Sequence, residues 1–354
     1  MNISKVLKRW YDLNHRSLPW RETTDPYKIW LSEIILQQTR VEQGLPYYQQ
    51  FTTLFPTVKS LANAPEKLIL KTWQGLGYYS RARNLHHAAK MVVEEFNGRF
   101  PADYQQLKSL KGVGDYTAAA IASFAFNLPH AVVDGNVYRF LSRYYGIDIP
   151  VDSPEGKKFF ALKAEEILDR KSPAAHNQSI MEFGALQCKP AAPNCSVCPL
   201  CNSCMALKSD SVSQLPVKSK KLKVTKRYFN YLMVNHSGKL FLNHRGAGDI
   251  WQHLYDLPVI ETPGPVSTNK LLKSDEWSDL FNGYDIHIKD VSEEMIHKLS
   301  HQHIHVRFFN ISIDRSPEGK SWKQFIKVKS QNIDSYPVPK LVENYFREQE
   351  LIYK

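Results

Sequence analysis

The stretch LKGVGDYTAAAIASFAF, residues 110–126, places two glycines directly before an apolar helical segment. Gly112 and Gly114 allow a tight hairpin and leave free amide groups at the start of the next helix, where the helix dipole favours a phosphate. We therefore expect these glycines and the adjacent Lys111 to contact a DNA backbone. An isolated G-x-G is more often a plain turn between helices, so this interpretation depends on the neighbouring motifs.

Around this stretch, the first 187 residues form a succession of helical patterns with short polar breaks. Asp25 and Pro26 have the pattern of an N-cap followed by proline at the first helical position. Strand-like alternation is almost absent before residue 225, so the first domain is predicted to be all-α. Helices are predicted over residues 27–43, 78–96, 115–126, 156–171 and 173–187.

The composition changes after the last cysteine. Residues 205–227 are polar and then strongly basic, which is typical of an interdomain linker. Beyond them, the segments 228–235, 238–245 and 305–313 alternate as strands do, and a helix is predicted near 338–349. The sequence thus predicts an all-α domain at 1–204, which includes a loop at 188–204, and an α+β domain at 228–354.

The net charge of +11 favours a polyanionic partner. Residues 1–220 contain 27 Lys and Arg against 19 Asp and Glu, so most of the excess lies in the first domain. The amino-terminal sequence is too polar for a secretory signal, and no stretch approaches the ~20 apolar residues that span a bilayer. We expect a monomer in the cytoplasm, associated with the nucleoid and with no membrane partner.

All five cysteines fall between Cys188 and Cys204, which indicates a metal site and not a disulfide framework. The ligand candidates Cys188, Cys195, Cys198 and Cys204 are separated by six, two and five residues. A single zinc ion is the simplest alternative, but zinc ribbons usually pair two close knuckles across a longer arm. The uneven spacing is more typical of a 4Fe-4S cluster. Cys201 leaves a second ligand set open, because the last four cysteines are evenly spaced.

Two carboxylates stand out. Asp134 lies at the start of a helix, where the simplest role is an N-cap, although a helix start also keeps a carboxylate ionised and suits it to face a developing cation. Glu33 has apolar neighbours, Ile29 and Leu36, on the same helical face. Most helical glutamates are solvated, but a face turned toward a pocket would raise the pKa of Glu33 and make it a proton donor near neutrality.

The hairpin, the downstream aspartate and the cysteine loop occur in the same order as in the helix-hairpin-helix DNA glycosylases of the endonuclease III superfamily, and the resemblance covers residues 1–204. The segment GDIWQHLYDLP at 248–258 resembles the strand-entry motif of a Nudix-like domain, but the Glu-rich signature of Nudix hydrolases is absent and no nucleotide hydrolysis is predicted. Four motifs resemble the adenine-specific MutY branch: PWR at 19–21, SEIILQQT at 32–39, LGYYSRARNL at 76–85 and VDGNVYR at 133–139.

The resemblance implies a monofunctional DNA glycosylase of base excision repair, which flips adenine out of double-stranded DNA from opposite 8-oxoguanine or guanine and hydrolyses its N-glycosidic bond. Glu33 would protonate the adenine ring and Asp134 would face the sugar cation. Tyr116 and Asn136 would help to position the pocket and the water. Bifunctional relatives carry a lysine where this chain has Tyr116, so no lyase step is predicted.

The same resemblance assigns one 4Fe-4S cluster to the four cysteines named above and places Arg21 among the DNA-binding residues. Gln38, Leu76 and Tyr78 resemble residues that probe or wedge the helix around oxidised guanine. Core packing is the alternative for Leu76 and Tyr78.

The loop at Leu299, Ser300 and His301 resembles the Phe-Ser-His loop that reads 8-oxoguanine in this branch, with leucine in place of phenylalanine. Ser300 and His301 retain the polar groups that would read the lesion. His301, His303 and His305 alternate along a predicted strand, so a metal site there is conceivable. Ordinary surface histidines are the preferred interpretation of the last two.

Two other functions fit parts of the sequence. A related glycosylase for thymine mismatches or oxidised pyrimidines would use the same scaffold, but the second domain and Tyr116 argue against its bifunctional form. A redox or sensing iron-sulfur protein could bind DNA without chemistry. Only Glu33 and Asp134 argue against that second alternative.

Overall fold

The computed structural model describes residues 3–219 and 224–352 and divides into two compact units. The first unit is Met1–Asn63 with Asn84–Lys220, and the second is Ala64–Arg83 with Lys221–Lys354. The domain boundaries predicted from the sequence remain a prediction. Within the predicted linker at 205–227, a short helix is present at its start, and residues 220–223 lie outside the described residues.

Helices form the first unit, as the sequence predicts, and in the described part of the chain no strand precedes Thr225. In chain order the helices before residue 220 are α1 (Ile3–Asn14), α2 (Pro26–Leu36), α3 (Val41–Leu54), α4 (Val58–Asn63), α5 (Glu66–Thr72), α6 (Ser80–Glu95), α7 (Tyr104–Ser109), α8 (Asp115–Phe126), α9 (Gly135–Tyr145), α10 (Pro154–Ile167), α11 (Pro173–Leu186) and α12 (Met205–Lys208).

Helix α8 lies at the centre of this unit and packs against α2, α7 and α11. Residues 118–122 are all buried, and four of the five are alanine. Small side chains let neighbouring helices approach closely, so α8 can be enclosed on all sides. This central position brings the start of α8 next to residues of α2.

The structure corrects the helix predicted over residues 27–43. Helix α2 ends at Leu36, Gln38 adopts a left-handed backbone with φ of 55°, and α3 begins only at Val41. No glycine or proline marks this break, so the composition of the segment did not reveal it. Gln38 therefore lies in an exposed turn and not within a helix.

The second unit is built on a mixed sheet, which confirms the α+β prediction. The strands are β1 (Thr225–His236), β2 (Lys239–His244), β3 (Tyr255–Asp256), β4 (Val259–Thr262), β5 (Ile286–Val291), β6 (Met295–Lys298), β7 (Gln302–Ile313) and β8 (Phe325–Lys329). The central pair, β1 and β7, is parallel, with Tyr228 opposite His305, and the main strand order is β3-β2-β1-β7-β5. Strand β4 pairs with β1, β6 with β7 and β8 with β2.

Both faces of this sheet are covered. Side chains alternate along β1, so Phe229 and Tyr231 enter one apolar core while Leu232 and Val234 enter the other. Helix α15 (Lys340–Glu348) packs on the first core. Helix α14 (Asp275–Phe281), which follows the short helix α13 (Thr268–Leu271), packs on the second.

The segment Ala64–Arg83, which the sequence analysis counted with the first domain, belongs by its contacts to the second unit. Lys71 Nζ lies 2.9 Å from Asp334 Oδ1, and Tyr79 donates its hydroxyl to the Val338 carbonyl at 3.3 Å. The Val338 amide in turn donates to Gln74 Oε1 at 3.1 Å. Long-range polar contacts of this kind leave no periodic pattern in the sequence.

Among the residues that the structure describes, no helix has the length and apolar character needed to cross a membrane.

Candidate active site

The hairpin before α8 has the conformation that its glycines suggest. Gly112 adopts φ of 79°, and a Cβ there would lie 2.8 Å from the Cβ of Asn84, so both the backbone angle and the close approach require glycine. Gly114 precedes α8 and borders open space, and Lys111 is exposed. The amide groups at the start of α8 are therefore accessible, and phosphate binding at this hairpin remains a prediction.

The four predicted catalytic residues line one pocket of about 190 Å³ in the first unit. Glu33 comes from α2, Tyr116 from α8, and Asp134 and Asn136 from the start of α9. The Tyr116 hydroxyl donates to Glu33 Oε2 at 2.7 Å. The helix packing thus brings together residues that lie 83 or more positions apart from Glu33.

Glu33 is buried, with 8% of its surface exposed. The pKa of Glu33 is raised to about 7. Burial is the largest cause and the charge of Asp134 adds to it, while the Tyr116 hydrogen bond and the charge of Arg21 partly offset these effects. Near neutral pH, a substantial fraction of Glu33 therefore carries a proton. This is the state that a general acid requires.

Asp134 is both the N-cap of α9 and a wall of the pocket. Its Oδ1 accepts from the amides of Asn136 and Val137 at 2.9 and 2.8 Å, and its Oδ2 accepts from the Asn136 side chain at 2.7 Å. Burial nevertheless raises the pKa of Asp134 above its ordinary range, because it outweighs these hydrogen bonds. The helix start alone, considered in the sequence analysis, would have lowered it.

A chain of hydrogen bonds connects the aspartate with the cysteine loop. Arg139 Nη2 donates to Asn136 Oδ1 at 2.8 Å, and Arg139 Nε donates to the Cys188 carbonyl at 2.8 Å. Because Asn136 also donates to Asp134, both sides of its amide are engaged. The amide orientation is therefore fixed from two directions.

The cysteines of residues 188–204 all line one small pocket with apolar walls. Burial is the main reason that the pKa of the Cys198 thiol is raised. The thiols of Cys188, Cys195 and Cys204 lie close enough for their charges to raise it further. Arg143 Nη1 lies 3.6 Å from the Cys188 sulfur. In the described ranges, no group of three or more His, Cys, Asp or Glu is arranged to hold a metal ion.

A second and larger pocket, of about 470 Å³, lies within the second unit. The residues that line it include Tyr78, Trp251, Leu299, Ser300 and His301. Tyr78 has a left-handed backbone with φ of 48° and 45% of its surface exposed. The Ser300 hydroxyl lies 3.2 Å from His301 Nδ1. The fold thus brings together one predicted wedge residue and the two predicted lesion readers.

Comparison with known proteins finds matches to both parts of the chain. A family described as HhH-GPD superfamily base excision DNA repair protein matches residues 31–160, and a NUDIX domain matches residues 230–348. The adenine DNA glycosylase of Buchnera aphidicola subsp. Baizongia pistaciae is 34% identical over 315 residues, which span 88% of this chain and 86% of that protein. The chain belongs to the adenine DNA glycosylase family. Its membership confirms the predicted enzyme class, a DNA glycosylase of base excision repair.

Three further matches each span less than two thirds of this adenine DNA glycosylase family member. The human adenine DNA glycosylase is 40% identical over 219 residues, 59% of this chain and 40% of the human protein. A thermostable thymine-DNA glycosylase structure aligns with a TM-score of 0.55 and 28% identity over 58% of this chain and 95% of its own. An endonuclease III structure, with a TM-score of 0.52 and 22% identity over 58% and 94%, shows the shared fold.

A buried ion-pair network in this adenine DNA glycosylase family member was not predicted from the sequence. Glu182 is 1% exposed and lines the same pocket as Glu33. Arg21 donates to both its carboxylate oxygens at 2.9 and 2.7 Å, and so does Arg16. These bonds hold the pKa of Glu182 well below its usual range despite burial. Arg21, predicted to bind DNA, therefore faces the pocket with its guanidinium already paired.

The pattern that identified Glu33 is absent at Glu182, because the residues four before and three after it are Gln178 and Ala185. The weaker signal was its position between Met181 and Phe183, since a carboxylate buried among apolar residues requires a cation. The partners could not be identified from the sequence, since Arg16 and Arg21 lie 166 and 161 residues away.

Two alternatives left open by the sequence can be compared with the structure. Leu76 is only 5% exposed, which agrees with the core-packing alternative and not with a free wedge. His301 precedes β7, and His305 Nδ1 lies 2.8 Å from Glu294 Oε1, which favours the preferred interpretation of His305 as an ordinary histidine. Stacking on Tyr228 also accounts for His305. No metal-binding group of three occurs in the described part of the chain.

Proposed function

We propose that this chain acts as a monomer at the nucleoid, in the cytoplasm, and removes adenine from opposite 8-oxoguanine or guanine in double-stranded DNA without a lyase step. The observation that carries the proposal is a single pocket that holds two carboxyl groups in unlike environments. Both are buried, but Glu33 accepts one hydrogen bond, from Tyr116, and has a pKa of about 7, whereas Asp134 accepts three hydrogen bonds that offset part of the effect of burial on its pKa. Such a pair divides acid and charge-stabilising roles.

In this mechanism a flipped adenine enters the pocket beside the apolar side chains of Leu18, Trp20 and Ile29. Protonated Glu33 donates its proton to the adenine ring as the bond between the base and the sugar breaks. The bonding electrons leave with the base, so the sugar acquires positive charge. Asp134 stabilises that charge, and water adds to the sugar and loses a proton.

Tyr116 and Asn136 act through the two carboxyl groups. The Tyr116 hydroxyl orients Glu33, and Asn136 orients Asp134. The pKa of Tyr116 is raised well above its ordinary value by burial and by both carboxylates, so this hydroxyl stays neutral and cannot replace a nucleophilic amine. A Schiff base with the sugar is therefore not expected.

The test is incubation of the purified protein with labelled duplexes that carry A opposite 8-oxoguanine, A opposite G, or T opposite G. Adenine release from the first two is expected, with strand breakage only after added alkali. Release of thymine would instead indicate a thymine-DNA glycosylase, as the aligned thermostable protein is named. Trapping of the protein on DNA by borohydride would contradict the monofunctional mechanism.

The cysteine pocket fits a 4Fe-4S cluster in its chemistry, because four thiols with mutual electrostatic influence face one apolar space beside the Arg143 cation. We propose Cys188, Cys195, Cys198 and Cys204 as the ligands. When bound, such a cluster cross-links the loop at 188–204 and stabilises its fold.

Cys201→Ser should retain the cluster, whereas Cys198→Ser should lose it. The Cys201 thiol lies 3.7 Å from the side-chain oxygen of Asn202, and the pKa of Cys198 is influenced by the other three proposed ligands. Iron and sulfide analysis of anaerobically purified protein, with visible absorption spectra, measures the outcome. An essential Cys201 together with a dispensable Cys188 would show that the even-spaced ligand set is the correct one.

Reading of the lesion is proposed for Ser300 and His301 in the second pocket. Ser300→Ala with His301→Ala should lower the preference for 8-oxoguanine over guanine about 5- to 150-fold, because a pair of contacts to one base edge is worth about 1 to 3 kcal/mol. Excision opposite plain guanine should change little. Single-turnover rates on both duplexes measure the ratio, and an unchanged ratio would assign lesion reading to Gln38 and Tyr78 instead.

A further inference from the structure

The loop 249–253 of the second unit has an unusual backbone. Trp251 and His253 both adopt left-handed conformations, with φ of 60° and 64°. Bulky side chains are uncommon in this region, and such conformations persist only where the surrounding structure enforces them. Two such residues within three positions therefore require strong anchors on both sides.

Ion pairs anchor the first half of the loop. Arg227 donates to both oxygens of Asp249, at 2.6 and 3.0 Å, and Arg245 pairs with the same carboxylate. Arg245 Nε also donates to the Ile250 carbonyl at 3.0 Å. These bonds fix the backbone immediately before Trp251.

The second half is held from the segment Ala64–Arg83. His253 Nδ1 lies 2.6 Å from Glu66 Oε1, and Arg83 Nη1 donates to the Gln252 carbonyl at 2.8 Å. The loop is thus fixed at both ends by charged side chains, and the position of Trp251 between them follows.

The anchored loop presents Trp251 to the pocket that Tyr78, Leu299, Ser300 and His301 also line. The indole and the Phe229 ring form a T-shaped contact with 6.3 Å between their centroids, and the Arg245 guanidinium lies 5.9 Å from the indole centroid. Trp251 packs against the first core of the sheet, but the core does not enclose it, so part of the indole faces the pocket. Trp251 and Tyr78 are the aromatic residues of the pocket with exposed surface, and Leu299 is aliphatic.

We propose that Trp251 is a further binding residue of this enzyme, and that its indole is the surface on which the base opposite the target adenine packs. The inference rests on the proposed function, because it places that base in the pocket of Ser300 and His301. Aromatic rings stack on the face of any base, whereas hydroxyl and imidazole groups read its edge. Trp251 therefore supplies affinity for a base as such, and the two polar residues distinguish its oxidation state.

The test compares three duplexes in which a hydrolysis-resistant 2′-fluoro-adenosine stands opposite 8-oxoguanine, guanine or an abasic site. The full-length protein, Trp251→Leu, Trp251→Phe and the Ser300→Ala, His301→Ala double variant are titrated with each. Trp251→Leu should weaken binding of both base-containing duplexes about 5- to 100-fold. Binding of the abasic duplex and the ratio between 8-oxoguanine and guanine should stay unchanged, and Trp251→Phe should restore most of the loss.

The double variant serves as the matched control, since it should change only the ratio between 8-oxoguanine and guanine. Equal weakening of all three duplexes by Trp251→Leu, or no weakening, would overturn the role of Trp251 and leave the lesion-reading proposal intact. A parent protein that binds the abasic duplex as tightly as the 8-oxoguanine duplex would overturn both.

A fluorescence measurement keeps the proposal testable if Trp251→Leu folds poorly. The difference between the emission of the parent and that of Trp251→Phe isolates the signal of Trp251. Its quenching by the 8-oxoguanine duplex, and not by the abasic duplex, is the expected result. Identical difference spectra with both duplexes would contradict the contact.

Discussion

Glu33→Gln should abolish adenine release while binding of the mismatched duplex stays nearly intact. The amide keeps the size of the side chain and its contact with Tyr116 but has no proton to donate to the leaving base. Loss of a positioned general acid typically costs 10²- to 10⁴-fold in rate. Single-turnover excision from an A opposite 8-oxoguanine duplex, beside a binding titration, measures both properties.

The pH dependence of the parent provides an independent check on Glu33. Because its pKa is about 7, the protonated form predominates below that pH, and excision should fall as the pH rises through it. The free energy of unfolding should also fall as the pH rises. A carboxyl group whose pKa is raised from 4.5 to about 7 contributes fully to stability below pH 4.5, and this contribution is lost as the pH rises through 7. At pH 8, Glu33→Gln should therefore be more stable than the parent by about 3 kcal/mol.

Glu94→Gln is the matched control, because it makes the same chemical change at an exposed position of α6. It should alter neither the excision rate nor the pH profile. A Glu33→Gln protein that excises adenine near the parental rate would exclude Glu33 as the acid.

Asp134→Asn should lower the excision rate about 10²- to 10³-fold or more, because an amide cannot stabilise positive charge on the sugar. Asparagine is as good an N-cap as aspartate, so α9 should keep its start, while the bond that Oδ2 accepts from the Asn136 side chain is lost. Rates measured with enzyme in excess over the duplex isolate the chemical step.

Asp103→Asn is a suitable comparison, since Asp103 also caps a helix, α7, through a bond from the Gln106 amide. That variant loses the same charge from the same kind of position but outside the pocket. If the two variants behave alike and both retain activity, Asp134 serves only as a helix cap.

The features of the site that could be predicted are those that residues nearby in the sequence determine. The N-cap role of Asp134 follows from its position before α9, and the burial of Glu33 follows from apolar neighbours on its helical face. Gly112 and Gly114 identify the hairpin in the same way, because the backbone angle at the first of them suits glycine. In each case the residues that decide the outcome lie within four positions.

The parts that could not be predicted depend on distant partners or on an unmarked break. Glu182 is paired with arginines more than 160 residues away. The end of α2 before Gln38 has no glycine or proline to reveal it. The effect of burial on Asp134 likewise arises from side chains of other helices, so the helix start alone gave the wrong direction for its pKa.

The contacts of Ala64–Arg83 have a consequence for protein engineering. A chimera made by joining two relatives at residue 220 would keep this segment from one parent and its partners, such as Asp334 and Val338, from the other. A second parent without an acidic residue at position 334 would then lose the Lys71 ion pair. Exchange of the second unit as a working module therefore requires three junctions, near 63, 84 and 220, instead of one.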